Sequence, residues 1–564
     1  MKALAAIKLV SFFIVLGVLH SLSFSSVLPS FFNFLSLLVL WWYLNQLTIK
    51  KALIATAIFY TTHFVASLSW LFVYASVFGA ANAFLSFTFL SLFSLYLSLF
   101  YLLAVYVFKK IAALKCAQPP SPYLLTLLLP MIWLVADYLR GHSFPSFPWV
   151  LTGYAYQPSD LFMSITQLSM FVPLVGVYGF GFVLYVLMGC LLAAYQYFAQ
   201  RQKHLALRPL LVIVIMIGFS WLLYAIAQPT RYLPQPHLFT QQTQHKLSLA
   251  LVQDYVKPNE SFSKQGMSDQ ETQAIYQSYI DLIKNTPADL LVLPETTLPL
   301  PWSQTPEHLK QALITQKKAD VLLLGSVMMQ IDTNLANQTL ASNAASIPSF
   351  HLTNSVIAIQ SDTAPSYQYN KIERVPIAEF MPAGWSWLIQ WFNLPYGSFE
   401  PGAINQAPLT INKKTIVPSI CYEFLFGDRL AERLRESTQT EPRILINLSD
   451  LAWFGDGIML DHVDHIITMR AMEFETPFLI ATKTGPSNPS FLIDFKHKNQ
   501  LINHPKKTEV KTREIAAYQG NTPYLRLGNS SLIVLALALL LLQILMFRFF
   551  TFKNIRFLNL KKSH

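Results

Sequence analysis

Cysteine is scarce in this chain, with only three in 564 residues, at positions 116, 190 and 421. Thiols so far apart exclude a disulfide framework and a Cys-ligated zinc site. Charge is scarce too. Only 13% of the residues are charged against 53% hydrophobic, with 42 Phe and 25 Tyr, which lies outside the usual soluble range and points to an integral membrane protein. Acids are few before about residue 230 and concentrate between Asp254 and Glu514. No internal repeat or low-complexity tract is present.

What the chain does have is long apolar runs, at about 4–27, 29–48, 52–78, 83–108, 122–139, 173–198 and 209–227, with another at about 531–550. Each is long enough to span a bilayer. Basic residues fall in alternate loops: Lys2, then Lys50 and Lys51, then Lys109, Lys110 and Lys115, then Arg201, Lys203 and Arg208, then Lys553, Arg556, Lys561 and Lys562. The loops between the first and second runs and between the third and fourth carry no Lys or Arg. That is the positive-inside pattern for eight spans with both termini cytoplasmic. Arg140 is the one basic exception beside an outer loop. No small-residue cleavage site follows the first run, so it is expected to remain as an anchor. The net charge of +11 is accounted for by the inner loops, and no nucleic-acid partner is implied. Three parts are expected: a membrane domain of seven spans over 1–228, an extracytoplasmic catalytic domain over 229–528, and a last span with a cytoplasmic tail over 529–564. In this arrangement Cys116 is cytoplasmic and Cys190 lies within a span, so Cys421 is the sole extracytoplasmic thiol, where a lone cysteine calls for a chemical reason.

After Pro229 short β-rich runs alternate with amphipathic helical ones. Strands are predicted at 246–253, 289–293, 321–327, 355–360, 415–420, 443–448 and 478–482. A helix near 269–285 opens on the capping-box pattern Ser268-Asp269-Gln270-Glu271 and carries an apolar stripe of Ile275, Tyr279, Leu282 and Ile283. Another opens at Thr305-Pro306, and further helices fit near 427–437 and 457–475. Such alternation implies an α/β domain with its reactive groups on loops at strand ends.

Three strand ends carry such a group. The run at 290–293 leads into Pro294-Glu295-Thr296-Thr297. Tyr369-Asn370 precedes Lys371, followed by Val375-Pro376-Ile377-Ala378-Glu379-Phe380. The strand ending at Ile420 delivers Cys421-Tyr422-Glu423. Each alone also has a bland reading, as a solvated acid or lysine or an inert buried cysteine. Together they supply a nucleophile, a base and a cation, enough for acyl transfer without a metal. Asp461-His462-Val463-Asp464-His465 could suggest a metal site, but is better read as the solvated face of a polar helix. Gly176, Gly179 and Gly181 fit close helix packing.

The order Pro-Glu, then Asn-Lys with Val-Pro-x-x-Glu-Phe, then Ile-Cys-Tyr-Glu resembles the nitrilase superfamily. With the apolar runs it is similar to that superfamily's membrane-fused branch, the bacterial apolipoprotein N-acyltransferases. Leu139-Arg140-Gly141, Phe147-Pro148-Trp149, Gly176-Val177-Tyr178-Gly179, Ala452-Trp453-Phe454-Gly455 and Arg470-Ala471-Met472-Glu473 extend the resemblance over essentially the whole chain. The resemblance implies a membrane body of eight helical spans joined to an α-β-β-α sandwich. It implies Glu295 as general base, Lys371 as the cation stabilising the intermediate, and Cys421 as a nucleophile that takes an acyl chain from a phospholipid as a thioester. Glu379 matches an additional essential acid. Tyr422 and Glu423 match the residues after the nucleophile, with the Tyr422 N–H as a candidate oxyanion donor. Aromatics concentrate at 383–399, and Trp385, Trp387, Trp391, Phe262 and Trp453 are candidate substrate contacts, the first three on a segment suited to an interfacial lid.

The implied acceptor is the N-terminal amine of a diacylglyceryl-cysteine lipoprotein. The reaction would be ping-pong and without cofactor, at the periplasmic side of a bacterial inner membrane, by a monomer. The chain departs from the family pattern at Ala378, at Asp450-Leu451, at Lys483-Thr484, at Asp254-Tyr255 and at Phe262. Those departures leave open a divergent amidase, or an acyltransferase acting on another amine. A non-catalytic lipid or lipoprotein binder on the same scaffold is the third reading.

Overall fold

The computed structural model describes residues 2–25, 27–78, 81–114, 122, 124–228, 236–254, 268–331, 350–360, 364–381, 398–437, 441–455, 457–483, 508–529 and 532. Phe262, Trp385, Trp387, Trp391, Cys116 and, but for residue 532, the run at 531–550 lie outside them.

Helices occupy each of the seven apolar runs before residue 228, because these are dense in Leu, Phe and Ala. Four stretches, Ala83–Ala113, Leu124–His142, Leu168–Ala199 and Lys203–Ile226, are long and apolar enough to cross a bilayer. A fifth results if Ile49–Ser67 and Trp70–Ser76, bent by 57°, form one span. The expected eight spans are therefore not all matched among the described residues. The first helix, Lys2–Leu22, has 21 residues, whereas Phe31–Gln46 has 16, short for a perpendicular crossing at 1.5 Å per residue.

Arg140, the basic exception, does not face water. Its guanidinium is buried and donates to the carbonyls of Phe147 and Trp149 at 3.0 and 2.6 Å, with Asp137 at 3.9 Å. A charge in the membrane body is thereby placed against backbone carbonyls and a carboxylate. The helix Val172–Ala199 breaks at Gly176, whose φ of 66° only glycine adopts freely and whose missing side chain leaves room for the Tyr524 ring 2.3 Å from where a Cβ would stand.

The second half of the chain is built on a ten-stranded sheet: β1 Thr240–Gln253, β2 Leu290–Val292, β3 Val321–Ile331, β4 Phe350–Ile359, β5 Tyr367–Asn370, β6 Leu409–Ile411, β7 Lys414–Ile420, β8 Arg443–Asp450, β9 Phe478–Lys483 and β10 Glu509–Gly520. The order is β5-β4-β3-β2-β1-β10-β8-β7-β6, with β9 beside β8. β1, β2 and β3 are mutually parallel, as are β7, β8 and β9; β10 runs antiparallel to β1 and β8 and joins the two parallel sets.

Alternation along the strands sorts side chains to two faces. Leu247, Leu249 and Leu251 of β1 share a core with Ile416 and Ile420 of β7 and Ile444 and Ile446 of β8, so the two halves of the sheet face each other. On the outer face of the first half, Leu291 and Leu322 pack with the helices Asp269–Lys284 and Glu307–Thr315. The capping box at Ser268 and Glu271 is made in both directions, but the buried stripe is Tyr276, Tyr279, Ile280 and Ile283, turned by about one residue from the expected one.

The other half carries the helices Gly427–Ser437 and Ile458–Phe474 on its outer face, and these belong to one hydrophobic cluster with the membrane helices. That corrects the reading of His462 and His465 as a solvated face. Both are buried, because their helix is sandwiched between sheet and membrane body, and His462 Nδ1 accepts from the Trp149 indole at 2.9 Å. Among the described residues no group of His, Cys, Asp or Glu could hold a metal.

The seam between the two bodies is polar where it has to be. The break at Gly176 leaves the Val177 N–H to the Glu473 carboxylate at 2.7 Å. Glu473 also pairs with Arg470 at 2.8 Å, whose guanidinium donates to Tyr154 at 2.9 Å. Breaking a fully buried pair of this kind costs about 3–5 kcal/mol. Glu473→Ala is therefore expected to lower stability by about that amount, read as a drop in the thermal unfolding midpoint in detergent.

Candidate active site

Parallel strands place their C-terminal ends on one edge, and loops leaving that edge converge there. Glu295 follows β2, Lys371 follows β5, Cys421 follows β7, and Asp450 ends β8. All four line one cavity of about 650 Å³, together with Glu379 and Asn354. The structure brings together the three residues that the sequence spaces across more than a hundred positions.

Lys371 is the hub. Its ammonium is 2.8 Å from Glu379 Oε1 and 3.6 Å from Glu295 Oε1, and its side chain is almost wholly buried. The Asn354 amide donates to both carboxylates, at 2.7 Å to Glu295 and 2.9 Å to Glu379. The second oxygen of each carboxylate is taken by backbone: the Asp450 N–H donates to Glu295 Oε2 at 2.8 Å, and the Val375 N–H to Glu379 Oε2 at 2.7 Å.

Local sequence explains how the turns close. Gly325 of β3 lies under the Glu295 turn, where a Cβ would stand 2.6 Å from Glu295 Cα. Thr296, Ile377 and Cys421 hold φ values of 44°, 73° and 46°, in the left-handed region that costs a non-glycine residue about 1–3 kcal/mol. At Cys421 the chain passes from β7 straight into the 3-10 turn Cys421–Leu425. The Asn447 amide holds this elbow through the Cys421 carbonyl at 3.2 Å and Ser419 Oγ at 2.9 Å.

Glu423 works as a fastener between strand ends. Oε1 accepts from the Tyr369 hydroxyl and the Ile372 N–H, and Oε2 accepts from the Ile420 N–H at 2.6 Å. The carboxylate thus ties the Lys371 loop to the Cys421 elbow. Tyr422 reaches the membrane body, its hydroxyl donating to the Ser146 carbonyl at 2.8 Å. Trp453 lines the cavity as well, near Tyr74. Phe262, Trp385, Trp387 and Trp391 lie outside the described residues.

Electrostatics set the resting protonation. Burial pushes the Cys421 thiol well above its ordinary value; the Glu295 carboxylate adds to that push and Lys371 opposes it. Burial likewise raises the Glu295 carboxyl, against the pull of Lys371. For Lys371, burial acts downward, but Glu379 and Glu295 outweigh it and keep the ammonium charged. The resting sulfur is a thiol, so an attack by it needs a base at that moment.

The rest of the cavity is apolar. Trp70, Phe89, Phe93 and Phe147 of the membrane body and Phe424 and Leu451 of the sheet domain line it. Ionisable groups at one end and aromatic walls at the other suit a ligand with a reactive carbonyl and a long apolar part.

Asn354 was missed in the sequence reading. It sits between Thr353 and Ser355, just ahead of the strand predicted at 355–360 and with no motif around it, and only the pairing of β4 with β3 brings it to the edge where Glu295 emerges. Its Oδ1 is buried with no hydrogen-bond partner among the described residues. Asn354→Leu removes two donations to charged acceptors, each worth about 1.5–3 kcal/mol. The expected outcome is a loss of stability of about that size or more, read as a drop in the thermal unfolding midpoint in detergent.

Comparison with known proteins agrees with this division of the chain. Residues 16–191 match the family described as the apolipoprotein N-acyltransferase N-terminal domain, and residues 249–524 match the carbon-nitrogen hydrolase family. The chain is 30% identical over 515 residues to the apolipoprotein N-acyltransferase of Haemophilus influenzae, covering 88% of this chain and 87% of that protein. It is 29% identical over 532 residues to the protein of the same name from Ralstonia nicotianae, covering 91% and 89%. With that of Nitrosomonas europaea it shares 28% over 490 residues, 85% of each.

Proposed function

The chain belongs to the apolipoprotein N-acyltransferase family, and from that premise we propose that Cys421 carries an acyl chain between a phospholipid and the N-terminal amine of a diacylglyceryl-cysteine lipoprotein. The observation that carries this reading is the composition of the cavity. One space holds Cys421, Glu295 and Lys371 and is walled by apolar and aromatic side chains of the membrane body. A soluble amide hydrolase has no need of such walls, whereas an acyl donor that keeps its chains in the bilayer does.

In the first half-reaction the Cys421 sulfur attacks the ester carbonyl of the phospholipid while Glu295 takes the thiol proton. Lys371 stands beside the developing negative charge, with the Tyr422 N–H as a further donor to the oxyanion. The ester C–O bond breaks, the proton passes from Glu295 to the departing oxygen, and a lysophospholipid leaves. The thioester keeps its acyl-transfer potential. In the second half-reaction the lipoprotein amine attacks it, the C–S bond breaks, and the proton lost by nitrogen returns the sulfur to its thiol form. Every atom is accounted for with two substrates and no cofactor. Glu379 contributes by holding Lys371 charged and in place.

The same reading gives the chain its setting. The membrane body over 1–228 crosses an inner membrane, the domain over 229–528 stands on the periplasmic side, and the segment over 529–564 returns to the cytoplasm, as the alternation of basic loops supports. The expected eight spans belong to this proposal.

The test is direct. Full-length protein in detergent, supplied with a phospholipid labelled in its acyl chains, should acquire hydroxylamine-sensitive label, and Cys421→Ala should acquire none. Label that persists in Cys421→Ala would remove Cys421 from the mechanism. The raised Glu295 carboxyl adds a pH signature. The basic form of a carboxyl with a raised pKa is lost at a higher pH than that of an exposed glutamate, so the acidic limb of the acylation rate should lie above about pH 4.5. A pH series of the labelling rate measures it.

A further inference from the structure

Asp450 and Lys483 are neighbours across the β8–β9 ladder, at the edge where the cavity opens. Asp450 Oδ2 and Lys483 Nζ are 3.4 Å apart. Each also reaches the Glu295 turn by a separate route. The Asp450 N–H donates to Glu295 Oε2 at 2.8 Å, while the Lys483 ammonium donates to the carbonyl of Thr296 at 2.6 Å. Thr296 is the strained residue next to Glu295, with φ of 44°. Asp450 Oδ1 accepts from the Ala452 N–H at 3.1 Å, and the Leu451 N–H donates to the Lys483 carbonyl at 3.0 Å, so the pair stands on a closed set of backbone contacts.

We propose that Asp450 and Lys483 act as a charged clamp behind Glu295, holding the strained turn in place and setting how readily Glu295 accepts a proton. They are positioning residues, acting through Glu295 without touching the reacting atoms. This inference rests on the reading of Glu295 as the base for Cys421.

The charges around Glu295 come from every neighbouring element. Lys371 and Glu379 face it from the loop after β5, Cys421 from the end of β7, and Asp450 from β8. Lys483 of β9 stands behind Asp450, and Asp254 follows β1 beside Lys483. The Asp254 carboxylate is held by the Tyr279 hydroxyl and by Thr508. Burial raises the Asp450 carboxyl, Lys483 opposes this, and Asp254 adds to it. Lys483 is the cation paired with Asp450, and removing it leaves a carboxylate uncompensated beside the base. Removing the Asp450 charge instead leaves the cation uncompensated. The two changes push Glu295 in opposite directions.

That opposition is the test. The full-length chain and the variants Lys483→Met, Asp450→Asn and the double variant are compared in detergent, reading the rate of hydroxylamine-sensitive acylation from labelled phospholipid across pH. Lys483→Met should move the acidic limb up by about one pH unit, Asp450→Asn should move it down, and the double variant should return it close to the unmodified protein. A residue that merely stabilises the fold would shift neither limb, or would lower the rate equally at every pH. Single variants that move the limb in the same direction, or not at all, would overturn the clamp. Should Lys483→Met fail to fold, the near-isosteric Asp450→Asn decides by the downward shift alone. An unmodified protein that acquires no label would overturn the reading of Cys421 itself, and the clamp with it; label with normal pH dependence in all variants overturns only the clamp.

Discussion

An ammonium buried between two carboxylates is the interaction on which the rest of the site depends. Lys371 is 1% exposed, Glu295 6% and Glu379 9%, and stripping water from any one of these charges alone costs several kcal/mol. The cost is offset only if each is paired and each remaining lone pair has a donor. That requirement explains the neighbourhood: Asn354 bridging the two acids, backbone N–H groups of Val375 and Asp450 on the outer oxygens, and the Asp450–Lys483 pair closing the far side. It also explains the tolerated strain at Thr296, Ile377 and Cys421, since a turn in the left-handed region persists only where its surroundings over-determine it.

The second constraint is the union of sheet domain and membrane body. In a free-standing layered domain the outer helices meet water. Here the helices Gly427–Ser437 and Ile458–Phe474 share one apolar cluster with the membrane helices. A docking surface of that kind must satisfy its polar groups internally. Glu473 at the Gly176 break, Arg470 on Tyr154, Trp149 on His462 and Tyr422 on Ser146 do so. The cavity consequently opens between the bodies, with its charged floor on the sheet and much of its apolar wall on the helices.

Much of this was readable along the chain. All seven strands expected from apolar runs are present, with ends displaced by a residue or so at β2, β7, β8 and β9 and by more at β1, β3 and β4. β5, β6 and β10 were missed. β5 and β6 are short edge pieces. β10 is central, joining the two halves, yet its sequence carries Lys511, Arg513 and Glu514 before the apolar run from Ile515 to Ala517. Its first half pairs with β1 at the rim, where charged side chains reach solvent, so hydrophobic periodicity could not reveal it. His462 and His465 were misjudged for a related reason. The spacing of polar residues describes one helix in isolation, and the burial of this helix comes from two partners distant in sequence.

Composition, charge alternation and three local motifs suffice to determine a membrane body and an appended α/β domain, and to single out Glu295, Lys371 and Cys421 as the proposed reactive residues. Those features depend on interactions between near neighbours in the chain, which sequence pattern records. Only the tertiary structure decided that Asn354 spans the two acids, that Glu423 ties strand ends together, and that Asp450 and Lys483 meet behind Glu295. Each of these is a contact between strands whose adjacency is set by sheet order, and sheet order is fixed by burial across the whole domain, not by any one segment.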